Sequence, residues 1–183
     1  MARICGGEFK GRLLAVPRDI RATEAKVRQA LFNILAPQIV GARVVDGYAG
    51  SGALGCEALS RGADFVAFIE SDPQALVCIQ DNLAHLEIPR DAWRLLHLDV
   101  LRGIATLADS DPPFDLILLD PPYHTDEAKK ALNAIGDCAI LAPAGLVAIE
   151  HHRRTSLPAA VGPLRAIKQH RYGDTVLSFY QPV

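Results

Sequence analysis

Cysteine is scarce and scattered: Cys5, Cys56, Cys78 and Cys138 are the only four in 183 residues, and none sits at metal-ligand spacing from another cysteine or a histidine. A disulfide framework and a zinc site therefore lack support, and a reducing cytoplasm is expected. No apolar run approaches the ~18 residues of a membrane span, and no charged-then-apolar leader precedes Arg3, so neither membrane insertion nor secretion is expected. Internal repeats and low-complexity tracts are also missing. With 50% hydrophobic residues the chain can bury one sizeable core, and a single domain over 1–183 is the expectation, with 1–22 as a basic arm or hairpin and 23–183 as the core.

An overall charge bias is absent too, since the net charge is only −2, but that figure hides a partition. Residues 1–30 carry seven Lys/Arg against three Asp/Glu, residues 151–183 five against one, and residues 31–150 seven against seventeen. Basic ends around an acidic middle can offer a positive rim to a polyanion, or can simply solvate exposed segments.

What the chain does have is alternation. "ARVVD" is a β-branched run ending at Asp46, followed by the glycine-rich "GYAGSGALG" and then "CEALSRG", where Gly62 suits a helix C′ position. "DFVAFIE" is a second strand. Asp72 and Pro73 read as N-cap and N1 of a helix whose Leu76, Ile79, Leu83 and Leu86 share a face. "WRLLHLDV" supplies a third strand, and the continuous apolar run "FDLILLD" reads as a central strand covered on both faces. A helix over 125–137 and a fifth strand, "GLVAIEHH", follow. Strands separated by crossover helices predict an α/β fold: a Rossmann-like, doubly wound, mostly parallel sheet of about seven strands, with ligands at the carboxyl ends. "LRAIKQHR" and "TVLSFYQ" around "YGD" predict a C-terminal antiparallel hairpin. Ahead of the sheet, Thr23 can cap a helix with Val27, Ala30, Leu31, Ile34 and Leu35 on its docked face.

Gly50, Gly52 and Gly55 spell GxGxxG between a strand and a helix, with the acid Glu70 ending the next strand. That order suits a nucleotide-like ligand at a helix N-terminus, its ribose hydroxyls donating to Glu70. A pyrophosphate is disfavoured, because the first strand ends in the acid Asp46, which suits a cationic group such as the amine or sulfonium of S-adenosylmethionine. Asp99, ending the third strand, can accept from an adenine amine. "LLDPPYH" places Asp120 at the end of the expected central strand. Its two prolines stiffen the following loop. The Asp120 carboxylate and the Pro121 carbonyl can accept from one planar NH2 group, while the ring of Tyr123 stacks on the heterocycle carrying it.

These residues together resemble the class I S-adenosylmethionine-dependent amino-methyltransferases. "RICGGEFKGRLLAVP" with "RATEAKVRQALFNILAP" is similar, more narrowly, to the start of the RsmD family, which methylates the N2 amine of a guanine in 16S ribosomal RNA of the small subunit. The resemblance spans nearly the whole chain. It implies S-adenosyl-L-methionine as cofactor, held by Asp46, Tyr48, Gly50, Ser51, Gly52, Glu70, Ser71, Asp99 and Val100. It implies Asp120, Pro121, Pro122 and Tyr123 as the catalytic motif, no metal, and 16S rRNA in an assembling or assembled small subunit as partner. RNA contact is expected from Arg3, Lys10, Arg12 and Arg21, with Arg28 on the polar face of the first helix. Two positions depart from the family pattern, which often has proline at Ala22 and phenylalanine at Tyr123; the aromatic face survives the second change. The alternatives are amino-methylation of adenine N6 or of a protein glutamine, and an NAD-binding oxidoreductase on the strength of the literal GxGxxG. A non-catalytic RNA-binding or assembly factor is a further rival, though it leaves the intact DPPY motif without a purpose.

Overall fold

The alternation becomes a sheet with helices on both faces. The computed structural model describes residues 1–17, 25–123 and 125–183. A two-stranded antiparallel hairpin, β1 (Ala2–Arg3) and β2 (Leu13–Leu14), precedes α1 (Ala25–Ile39). The proposed Thr23 cap and Arg21 lie outside the described residues. Then come β3 (Arg43–Gly47), α2 (Ala53–Ser60), β4 (Phe65–Glu70), α3 (Pro73–His85), β5 (Trp93–His97), α4 (Val100–Ser110), β6 (Phe114–Leu119), α5 (Glu127–Gly136) and β7 (Leu141–His152). The chain closes with β8 (Ala160–Val161), β9 (Leu164–Tyr172) and β10 (Thr175–Pro182).

The eight strands of the main sheet run in the order β5-β4-β3-β6-β7-β10-β9-β8. β3 to β7 are parallel, and β10 and β9 are antiparallel to their neighbours. The sequence anticipates seven of the eight. β8, only two residues long, is too short to show a period. From β3 the chain winds outward through β4 to β5, then returns to β6 and winds the other way. The winding reverses between β3 and β6, and sheets of this kind bind their ligands at the carboxyl ends beside such a switch.

Period-two alternation decides what each face buries. In β6, Leu116 and Leu118 join a cluster that includes Leu31, Phe32, Leu54 and Leu83 from α1, α2 and α3. Ile117 and Leu119 join the opposite cluster, with Ile104, Leu107, Leu132 and Ile135 from α4 and α5. Each fully buried leucine or isoleucine contributes about 1.5–3 kcal/mol. Helix ends follow local chemistry: the Asp72 side chain accepts from the amide of Gln74 with Pro73 behind it, and Gly62, at φ +95°, takes up the left-handed turn after α2. No helix among the described residues is long and apolar enough to cross a membrane.

α2 is buried along its whole length, so it must lie close on the sheet, and Gly55 permits this. A Cβ there would stand 2.1 Å from Cε1 of Phe68 and 2.9 Å from Cγ1 of Val66. Alanine is the better helix former by ~1 kcal/mol, so helix propensity alone favours Gly55→Ala. Overpacking against Phe68 reverses that sign, and the variant should lose about 1–3 kcal/mol of stability, read as a lower urea midpoint at unchanged slope. An unshifted midpoint would mean that α2 lifts off Phe68 freely.

Candidate functional site

β3 delivers Asp46 to the carboxyl edge with its side chain inside, at 1% exposure. Its Oδ2 accepts the Gly55 amide at 2.8 Å, which clamps the strand end to the start of α2. The chain between must reverse tightly, and Tyr48, Gly50 and Gly52 take the left-handed region at φ 62°, 56° and 74°. Glu70, ending β4, steadies the same loop from the side. Its Oε2 accepts from Gly50 N at 2.8 Å, and its Oε1 accepts from the amides of Ser71 and Asp72 at 2.7 and 2.9 Å. Ser51 is buried, its carbonyl accepting from Asn82 Nδ2 at 2.9 Å. The Tyr48 hydroxyl donates to Glu127 Oε2 at 3.1 Å, linking the loop to the first turn of α5.

Asp99 does not end a strand, since β5 stops at His97; it is the N-cap of α4, accepting from the Arg102 amide at 3.0 Å. Val100 behind it is buried, and Ser71 is exposed with its carbonyl 3.1 Å from His97 Nε2. Burial pushes the Asp46 carboxyl well above the usual carboxylate range; the Gly55 amide opposes this, and the negative charges of Asp120 and Glu70 add to it.

Asp120 follows β6 directly, and its amide reaches the carbonyl of Gly47 at 3.5 Å across the switch point. Pro121 is buried and Pro122 exposed. Tyr123 is half-buried. Its hydroxyl donates to Glu150 Oε1 at 2.7 Å and lies 2.9 Å from Thr175 Oγ1, while its ring meets that of His152 edge-on at 5.8 Å. Thr125 Oγ1 donates to the Pro122 carbonyl at 2.8 Å and closes the loop. The two halves of the site therefore meet across β3 and β6, with four acids, Asp46, Glu70, Asp99 and Asp120, along one edge.

The N-terminal cations divide. Arg3, Lys10 and Arg12 are exposed, with Arg3 bonded to the Gly11 carbonyl and Arg12 to that of His85. Arg28 is not on a polar face: it is 2% exposed, its Nε 3.6 Å from the buried carboxylate of Glu57 and its Nη2 on the Arg3 carbonyl. As placed it cannot meet RNA. A positive charge can enter the core there because Glu57, from a distant helix, waits for it. His151 on β7 is also buried, 2.7 Å from Ser178 Oγ.

Sequence reasoning passed over Glu57, Asn82, Glu150 and Thr175. Two of them carried a signal. Glu57 is the one charged residue of α2, and Glu150 nears the end of its strand as Asp46 and Glu70 do the ends of theirs. Among the described residues no group of three or more His, Cys, Asp or Glu could hold a metal ion.

The family model for "Conserved hypothetical protein 95" matches residues 2–181. Ribosomal RNA small subunit methyltransferase D of Escherichia coli is 34% identical over 98% of this chain and 89% of its own length. The Haemophilus influenzae protein of the same name is 35% identical over 81% and 77%. Among solved structures, the Escherichia coli "Putative methyltransferase yhhF" superposes with a TM-score of 0.86 at 34% identity, covering 98% of this chain and 97% of that one.

Asp46→Asn separates the acceptor from the charge. The amide oxygen can still receive the Gly55 N–H, but no carboxylate is buried beside Asp120 and Glu70. Because the folded pKa of Asp46 is raised, its contribution to stability is present in acid and is lost as pH rises through the folded value. The variant should therefore match the wild type at low pH and melt at a higher temperature as pH rises above the ordinary carboxylate range. Equal melting temperatures across that range would refute the charge argument.

Proposed function

Because the chain belongs to the RsmD family of ribosomal RNA small subunit methyltransferases, we propose that it methylates the exocyclic N2 amine of a guanine in 16S rRNA, using S-adenosylmethionine, and works as one domain. The observation that carries this reading is the juxtaposition across the switch point: a glycine loop backed by carboxylates on β3 and β4, beside an Asp-Pro-Pro-Tyr loop on β6.

The residues present fit the cofactor. Asp46 is a buried carboxylate whose charged neighbours Asp120 and Glu70 are also negative, so a cationic ligand relieves repulsion that the free chain carries. A dinucleotide pyrophosphate would increase it. Asp46 and the loop Tyr48–Gly52 would hold the methionyl end, Glu70 and Ser71 the ribose, and Asp99 and Val100 the adenine. When bound, the cofactor supplies a methyl group already activated on a sulfonium.

The chain's own task is then to place the acceptor. A guanine N2 is a poor nucleophile because its lone pair is delocalised into the ring. The Asp120 carboxylate and Pro121 carbonyl accept its two hydrogens, which favours the nitrogen as it becomes tetrahedral. The tether of Tyr123 to Glu150 and Thr175 holds the ring at a fixed angle, ready for a base to lie against it. Correct positioning can account for as much as ~7–11 kcal/mol, and an acceptor aimed at developing charge for about 3 kcal/mol more.

Asp120→Ala should bind S-adenosylhomocysteine almost as the wild type does, yet transfer tritiated methyl to small subunits lacking this modification at least a hundredfold more slowly, a loss of about 2.7 kcal/mol or more. Near-normal turnover would remove Asp120 from the chemistry. Calorimetric titration provides a second check: S-adenosylhomocysteine should bind and NADH should not, and the reverse would overturn the cofactor assignment.

A further inference from the structure

The hairpin of β1 and β2 carries Arg3, Lys10 and Arg12, three of the cations that the sequence singled out, but its tip lies away from the carboxyl edge. α2 and α3 both start at that edge, and the hairpin bonds to their far ends. Glu8 N and Phe9 N donate to the carbonyl and hydroxyl of Ser60 at 2.7 and 2.9 Å, and Arg12 reaches the carbonyl of His85 at 3.0 Å. Ser60 closes α2, an eight-residue helix about 12 Å long.

Another basic element borders the Asp-Pro-Pro-Tyr loop. In the sheet register Thr175 pairs with His152 on one side and with Tyr172 on the other, so the turn of the C-terminal hairpin lies at the edge where β7 ends. Tyr123 touches both Thr175 and His152. Around this turn stand Arg153, Arg154 and Arg171, with Lys168 farther along β9. Eight of the nine residues of β9 are exposed or half-exposed, Leu164 being the buried one. Asp174 is the single acid in residues 151–183, and Arg153 takes it, at 2.7 Å. Among the described residues no carboxylate pairs with Arg154, Lys168 or Arg171, and the Arg171 Nε bond to the Gly173 carbonyl leaves the rest of that guanidinium outward.

Cations on an exposed strand also discourage strand-to-strand aggregation. That explains Lys168, midway along β9. It does not explain Arg153 and Arg154, which lie beyond the end of β7 and guard no edge. We propose that this rim, Arg154, Lys168 and Arg171 with Arg153 beside them, holds the RNA backbone flanking the target base. The proposal rests on the RNA-methylation reading above and adds to it a contact surface on the opposite end of the chain from the N-terminal hairpin.

The test compares the full-length triple variant R154Q/K168Q/R171Q with the double variant K10Q/R12Q and the wild type. Each is assayed for methyl transfer to unmodified small subunits at several salt concentrations. The triple variant should raise KM at least tenfold. It should also flatten the dependence of log affinity on log salt by about 2, since each lost phosphate contact removes roughly 0.7–0.9. Its affinity for S-adenosylhomocysteine should be unchanged, which shows that the fold survives, and R154K/K168R/R171K should restore most of the loss. A triple variant with wild-type KM and salt slope overturns the proposal, as does a double variant that carries the whole slope. Salt-insensitive binding by the wild type also overturns it, and would mark the open side of β9 as an edge for a protein strand. Wild-type transfer separates the failures: where it is intact, a silent triple variant removes only the rim, and where no RNA is methylated, the functional reading falls and takes the rim with it.

Discussion

The carboxyl edge depends on one hydrogen bond, from the amide of Gly55 to the buried carboxylate of Asp46. It joins a strand end to the third residue of a helix, so the residues between must close a short loop, and the left-handed conformations at Tyr48, Gly50 and Gly52 follow from that closure. Burying the carboxylate is unfavourable in itself. It is tolerated because the bond is charge-assisted and because the acid faces a helix N-terminus, where the dipole favours negative charge. Glu70 repeats the device from the next strand, accepting three amides, so the loop is held from below and from the side. A ligand entering there meets groups already in place.

The opposite end of α2 is anchored by a second buried acid. Glu57 is fully enclosed, accepts the Cys5 amide at 2.8 Å and the Arg61 guanidinium at 2.7 Å, and has Arg28 beside it. Separating such charges in the interior leaves each uncompensated, which costs far more than an exposed pair would. Ala2, Ile4 and Leu14 share a cluster with Val27 and Leu31. The hairpin is thus integral to that face of the core, and its cations stand where α2 and α3 hold them.

Local physics was readable in the sequence wherever a short window contained both partners. The Asp72 cap and Pro73, the left-handed Gly62, the doubly covered run of β6 and the hairpin around Gly173 each involve neighbours in the chain, and each is found. The hidden features are those whose partners are remote. Nothing near Arg28 announces that Glu57, twenty-nine residues on, makes its burial tolerable, and helical periodicity therefore assigns a guanidinium to solvent. His151 is the same case, with Ser178 on another strand. Tyr123 was legible as an aromatic face, but its tether to Glu150 and Thr175 requires β7 and β10 to be brought beside the loop.

The same separation of partners explains how a chain of net charge −2 can act on a polyanion. Asp46, Glu70, Asp99, Asp120 and Glu150 lie at or near the carboxyl edge, where a phosphate is repelled and an amine is welcome. A nucleotide carries both groups at opposite ends. On the proposed function, the base must leave its stack to present N2 to Asp120, as bases do for enzymes that act on them, and its phosphates stay outside. Screening at physiological salt limits each charge to about 8 Å, so a cation attracts the backbone beside it without neutralising acids farther along the edge. An all-basic edge would bind RNA in many registers, its bases no better placed than its phosphates. Acids at the switch point and cations on the rim admit one orientation, the one that aims an amine at the carboxylates.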